Sequence, residues 1–125
     1  MVSVPGFLLR KLYVKGSLEN TAEGMTFRLR NSLGSGYAEE MLPITLDGRK
    51  IPLERCSFSV GGDPRTFAQV SPDEPFCLLL NQDTVVTVGD VVLSQEPHTV
   101  GMGFRVPGIG VLRFDFVDLP INRPL

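Results

Sequence analysis

Glycine and proline interrupt this chain so often that few stretches are left for a helix of ordinary length. Thirteen Gly and ten Pro fall among 125 residues. Gly weakens a helix through backbone entropy and Pro through its missing N–H and fixed φ. Between the interruptions, apolar side chains recur with period two, which places them on one face of a strand. No long window shows the 3.6-residue stripe of an amphipathic helix.

The alternation predicts a first strand over Leu8 to Leu18, with Lys11, Tyr13, Lys15 and Ser17 on its wet face. A turn at Asn20 to Gly24 follows, then a second strand with Met25, Phe27 and Leu29 inward and Thr26, Arg28 and Arg30 outward. This pairing sets Arg28 and Arg30 against Lys11 and Lys15, so the four cations need a counter-surface, either an acidic neighbour in the chain or a partner. After Gly34-Ser35-Gly36, alternation returns at Leu42, Ile44 and Leu46 and ends at Asp47-Gly48, a strong hairpin signal. The Arg49 to Pro52 arm is short and belongs at a sheet edge. Cys56, Phe58 and Val60 form the next strand, closed by Gly61-Gly62. Arg65 to Val70 reads as a short strand or ledge, and Ser71 to Pro75 as a turn. The apolar run Phe76 to Leu80 predicts a segment covered on both sides or lying at the seam of two sheets. Thr84 to Val88, its continuation Val91 to Leu93, His98 to Val106 and Val111 to Asp118 complete the set, and the tail 119–125, with Pro120 and Pro124, reads as irregular.

Seven to nine short strands at intervals of about 8 to 12 residues describe an all-β fold, an immunoglobulin-like two-sheet antiparallel β-sandwich, with a small barrel as the alternative. The whole of 1–125 reads as one domain, with its core about 8–118; at 13.7 kDa and 42% hydrophobic residues it buries enough surface without staples.

Charge excludes some partners. Twelve basic and fourteen acidic residues give a net charge of −2, no excess for a phosphate backbone or an anionic bilayer. Neither nucleic acid nor membrane is an expected partner. The apolar patch Phe7-Leu8-Leu9 precedes Arg10 and Lys11, the reverse of a secretory signal, and no apolar run approaches the ~20 residues of a membrane span. The expectation is a soluble, cytoplasmic protein. Cys56 and Cys77 have no CxxC partner and read as buried thiols of a reducing compartment.

The candidate sites are few. His98, the one histidine, opens a strand, where an imidazole commonly bonds a neighbouring carbonyl or carboxylate. A small enzyme would need His98 to converge with Asp63, Asp73 or Glu74. These carboxylates lack the oxygen count and spacing of a Ca²⁺ site, and Ser57 and Ser59 lack a base at fixed spacing. Glycines at 61, 62, 101, 103, 108 and 110 lack the strand-to-helix step of a phosphate cradle. No catalytic, metal or cofactor residue is expected. The candidate partner surface is the stretch Arg65 to Phe76, where Arg65, Phe67, Asp73 and Phe76 combine aromatic and charged character; its alternative is that both Phe complete the core. Edge strands are the second candidate.

The order of short motifs resembles a known family. Phe27-Arg28-Leu29-Arg30, then Leu46-Asp47-Gly48 with Ile51-Pro52 and Glu54, then Phe58-Ser59-Val60-Gly61-Gly62, and late in the chain His98-Thr99-Val100 carry the likeness over about 8–118. In this order they are similar to the C-glycoside deglycosidase beta-subunit-like family of small β-sandwich proteins. That resemblance implies a non-catalytic accessory subunit, without cofactor, that packs on a larger metal-dependent, sugar-isomerase-like chain. The chemistry then lies on the larger chain, and no catalytic residue carries over to this one. Short relatives of this kind also bear the label hydroxymethylglutaryl-CoA reductase. A hydride-transferring reductase must bind a dinucleotide and a coenzyme A thioester, and this chain shows neither a nucleotide fingerprint nor a catalytic Lys/His/Asp set, so that activity is not expected. The alternative function is a stand-alone homo-oligomeric module that binds a small ligand such as a sugar through loops at one end of the sandwich.

Overall fold

Period-two burial governs the long strands of the structure, a computed structural model that describes residues 4–122. In strand β2 (Gly24–Arg30), Met25, Phe27 and Leu29 are fully buried while Arg28 and Arg30 face solvent. In β10 (Asp83–Gly89), Val86 and Val88 are buried. β11 (His98–Val106) and β12 (Gly110–Asp118) bury Val100, Met102, Phe104, Leu112, Phe114 and Phe116.

Thirteen strand segments occur among the described residues, more and shorter than the seven to nine expected. One sheet runs β13-β1-β2-β10-β7-β8, where β1 is Glu19–Thr21, β7 Cys56–Ser59, β8 Arg65–Thr66 and β13 Ile121–Asn122. The second runs β12-β11-β5-β6, with β5 at Thr45–Leu46 and β6 at Arg49–Lys50, and β4 (Glu40–Met41) also pairs with β11. A small third sheet joins β3 (Gly36–Ala38) to β9 (Phe76–Leu78). Aromatic rings bridge the layers. Phe27 of the first sheet meets Phe116 of the second edge-on at 5.2 Å, and Phe76 links Phe58 at 4.6 Å to Phe104 at 6.4 Å. Each buried ring contributes about 1.5–3 kcal/mol of transfer free energy, and edge-on pairs add to it.

Several expectations are corrected. The first predicted strand starts as a helical turn, α1 (Gly6–Leu9), continued by a 3-10 turn at Arg10–Leu12. Leu8 and Leu12 are four apart as well as an even number apart, and Leu9 and Leu12 are buried by helical spacing. Only from Tyr13 does the segment extend, where Val14 N–H donates to Arg28 O at 3.0 Å. The counter-charge for Arg28 and Arg30 lies within the chain: Asp83 stands across from Arg30 on β10 and accepts from it at 2.5 and 3.0 Å. Val91 to Leu93 forms no strand, because buried Asn20 fixes it as a loop. The Asn20 amide donates to Leu93 O and its carbonyl accepts from Leu93 N–H, both at 2.8 Å. The tail is not wholly irregular: β13 pairs with β1, and in parallel, so the sandwich is not purely antiparallel. The run Phe76 to Leu80 is covered only in part, with Leu79 and Leu80 about half exposed, and of the two thiols Cys56 is buried and Cys77 exposed.

Two glycines are dictated by close approach. Gly24 has φ +148°, and a Cβ there would lie 2.1 Å from Val88 O. A Cβ on Gly101, at the centre of β11, would lie 2.2 Å from Thr45 Oγ1 on β5. Among the described residues, no helix is long and apolar enough to cross a membrane.

Candidate functional site

β11 carries two unlike places, one at each end. At its start, His98 is 7% exposed. Its Nδ1 lies 2.7 Å from Asp47 Oδ2, and its Nε2 faces Ser94 O at 3.0 Å and Ser94 Oγ at 3.2 Å. Asp47-Gly48 forms the two-residue turn between β5 and β6, and both residues have positive φ, 51° and 85°, the backbone of a type I′ hairpin. Register brings the turn to the histidine: Leu46 pairs with Val100, and Asp47 exchanges bonds with Thr99, accepting from its N–H at 2.9 Å and donating to its O at 2.8 Å. The Asp47 carboxylate raises the His98 pKa above the ordinary histidine value against the opposing effect of burial, and the histidine in turn lowers that of Asp47.

Asp47, His98 and Ser94 have the connectivity of an acyl-transfer triad, with the carboxylate on Nδ1 and the hydroxyl on Nε2. The hydrogen bonds do not fit that chemistry. A general base must offer Nε2 as an acceptor, yet Nε2 faces the Ser94 carbonyl, and the Ser94 hydroxyl donates instead to Glu96 Oε1 at 2.9 Å. Acceptors face both nitrogens, so a doubly protonated ring bonds the loop and the hairpin together.

At the other end of β11, Phe104 and Val106 help wall an apolar cavity of about 320 Å³. Leu8 and Leu12 of the helical turn, Leu78 of β9 and Leu112 of β12 complete its sides, and no charged side chain lines it among the described residues. Asn31 at its wall has its amide fully engaged, donating to Gly34 O and Leu78 O and accepting from the N–H groups of Leu33 and Gly34. The rim opens onto a largely apolar surface around β3 and β9, where Leu33, Tyr37, Leu79 and Leu80 are 41–52% exposed. Tyr37 stands opposite Cys77, and Leu80 N–H donates to Ser35 Oγ at 2.9 Å, so these exposed residues lie on neighbouring segments of the chain.

The stretch chosen from sequence falls elsewhere. Phe67 and Phe76 are 1% and 0% exposed, which rules them out as surface anchors and leaves them completing the core. Arg65 is half-buried, donates to the Glu74 and Pro75 carbonyls and covers the Phe58 ring at 5.4 Å. Asp73 is exposed in the turn that follows. His98 bonds Asp47 and Ser94, not Asp63, Asp73 or Glu74. Sequence reasoning missed Asp47 as its partner and missed the β3–β9 surface; the Asp-Gly turn and the Leu78-Leu79-Leu80 run were the available signals.

A family model for the N-terminal domain of hydroxymethylglutaryl-CoA reductase matches residues 8–119 of this chain. The chain belongs to this family. The match begins within α1 and ends before β13, so it takes in the 3-10 turn, every strand of both larger sheets except β13, and nearly all of the cavity lining. No curated protein matches the chain significantly.

Proposed function

We propose that this member of the reductase N-terminal-domain family is a non-catalytic accessory unit that packs on a larger catalytic chain through the β3–β9 surface. The finer reading is that of the C-glycoside deglycosidase beta-subunit-like proteins it resembles, with a metal-dependent, sugar-isomerase-like chain as partner. The observation that carries the proposal is the exposed apolar patch formed by Leu33, Tyr37, Leu79 and Leu80 beside an uncharged cavity. Exposed apolar residues grouped on neighbouring segments mark an interaction site more often than scattered single ones do. The sheet edges are poor alternatives. β6, β8 and β13 are two residues long, β6 consists of Arg49 and Lys50, and the long edge of β12 is strapped by α1 and by Arg10, which donates to Asp115 O at 2.6 Å. A family named for a reductase's N-terminal domain also fits a unit that accompanies chemistry performed elsewhere.

The test is native mass spectrometry of the tagged chain recovered from its source. A fixed-ratio complex with a larger chain, lost in a Leu79→Ser/Leu80→Ser variant of unchanged melting temperature, supports the proposal. Turnover of a C-glycoside or a thioester by the isolated chain would overturn it. The stand-alone homo-oligomeric module rests on the cavity, which is at the small end of ligand sites. Its walls suit an apolar ligand better than a sugar, and a ligand-dependent rise in melting temperature without a second chain would favour that reading.

A further inference from the structure

We propose that His98 is a proton-operated latch: as an imidazolium it bonds the Ser94 carbonyl and the β5–β6 turn at once, and its deprotonation gives up the carbonyl bond, turns the Ser94 hydroxyl to the ring and frees Glu96 in the loop 94–97. The geometry sets what each proton does. Nδ1 faces Asp47 Oδ2 and Nε2 faces Ser94 O, two acceptors that only a doubly protonated ring satisfies. Loss of one proton leaves one donor. The carboxylate holds it on Nδ1, because a charge-assisted bond at 2.7 Å is stronger than a bond to a neutral carbonyl. The bare Nε2 then opposes the Ser94 carbonyl at 3.0 Å, lone pair to lone pair. A hydroxyl already lies 3.2 Å from Nε2, that of Ser94, now donating to Glu96. Turning that hydroxyl from Glu96 to Nε2 satisfies the ring and frees the Glu96 carboxylate.

The movement is bounded on both sides. Leu93 is pinned by Asn20, and Asp47 is held by the Thr99 backbone whatever the charge on the ring. Only 94–97 is left to respond. The ionisable groups around the ring come from three directions: Asp47 with Arg49 behind it from the hairpin, Glu96 from the loop, and Asp118 directly across on β12. Asp118 is already engaged by the Tyr13 hydroxyl at 2.6 Å and the Gly16 N–H at 2.9 Å. Asp47 and Glu96 both favour the imidazolium, so the latch closes as pH falls and opens as pH rises through the ring's raised midpoint.

One histidine in the chain makes the test unambiguous. Long-range ¹H–¹⁵N spectra of the imidazole, followed from about pH 5 to about pH 9, report both ring nitrogens directly. The latch predicts two protonated nitrogens below a midpoint raised above the ordinary histidine value, a proton kept on Nδ1 after titration, and amide shifts of residues 94–97 that follow that midpoint while Thr99 stays fixed. Asp47→Asn keeps the shape and tolerates the positive φ, and it should lower proton affinity by about tenfold or more, one pH unit. A midpoint below the ordinary histidine value, a proton kept on Nε2, or loop amides that ignore the titration would each overturn the proposal.

Discussion

The first and last residues of β11 are about 26 Å apart at the usual rise per residue, and they face opposite problems. His98 is a buried polar group, and every bond it can make is made within the chain. No buried side-chain nitrogen or oxygen among the described residues lacks a partner. Phe104 and Val106 sit beside a cavity whose rim leaves leucines and a tyrosine half in water. Orphaned polar groups cost too much to leave inside a fold, so the polar end had to be completed by the chain itself. Apolar exposure costs less per residue and is removed by whatever covers it. One end is therefore self-sufficient, and the other gains from a cover.

The largest effect should come from breaking the apolar end beneath its surface. Phe104→Ala removes a 4%-exposed ring that packs edge-on against Phe76, at a cost of about 3–5 kcal/mol measured as a lower urea midpoint. A loss near 1 kcal/mol would mean that the cavity walls collapse to fill the space, and that the cavity is softer than its lining implies. Next comes Gly101→Ala, at mid-strand, where the new Cβ meets Thr45 Oγ1. Overpacking of this kind costs about 2–3 kcal/mol here, and adding Thr45→Ala should recover most of it. Failure of that rescue would place the strain in the backbone of β5, which leads into the Asp47 turn.

A smaller effect, about 1–2 kcal/mol, is expected for His98→Gln, since part of the clamp faces solvent through Asp47. Its pH dependence matters more than its size. The folded pKa of His98 is raised, so its contribution is fully present below the ordinary value of 6.5 and disappears as pH rises through the folded pKa. Wild-type stability should therefore decline over that interval, and the Gln variant should lose this decline. Equal slopes in both proteins would remove His98 from the pH response.

The contrast also explains what was legible in the sequence. Local pattern was enough for the inward face of β2, the boundaries of β11 and the Asp47-Gly48 turn, because alternation and turn chemistry act over a few residues. It also led to a histidine bonded to a carbonyl or carboxylate. It did not reveal which carboxylate, since Asp47 and His98 are 51 positions apart and meet only through the pairing of β5 with β11. Leu8 and Leu12 fit both a strand face and a helical turn, and docking on β12 decides for the turn. A long-range hydrogen bond from Asn20 overrode the β-branched signal at 91–93, and the single aromatic residues Phe67 and Phe76 gave no sign of which side would be covered.

The smallest effect on stability should fall on the surface that the functional proposal needs most. Leu79 and Leu80 are 50% and 52% exposed, so changing both to Ser should alter the unfolding free energy of the isolated chain, measured by urea titration, by no more than about 0.5 kcal/mol each. The same change should raise the partner's dissociation constant, because buried interface leucines give back their transfer free energy when truncated, about tenfold for each 1.4 kcal/mol. The two readouts separate a surface kept apolar for a partner from one that is apolar for the fold. Lost stability with unchanged association would assign Leu79 and Leu80 to the sandwich and move the interface elsewhere. Retained stability with lost association would make this end of β11 the docking face, and the polar clamp at the other end would be unaffected by the same variant.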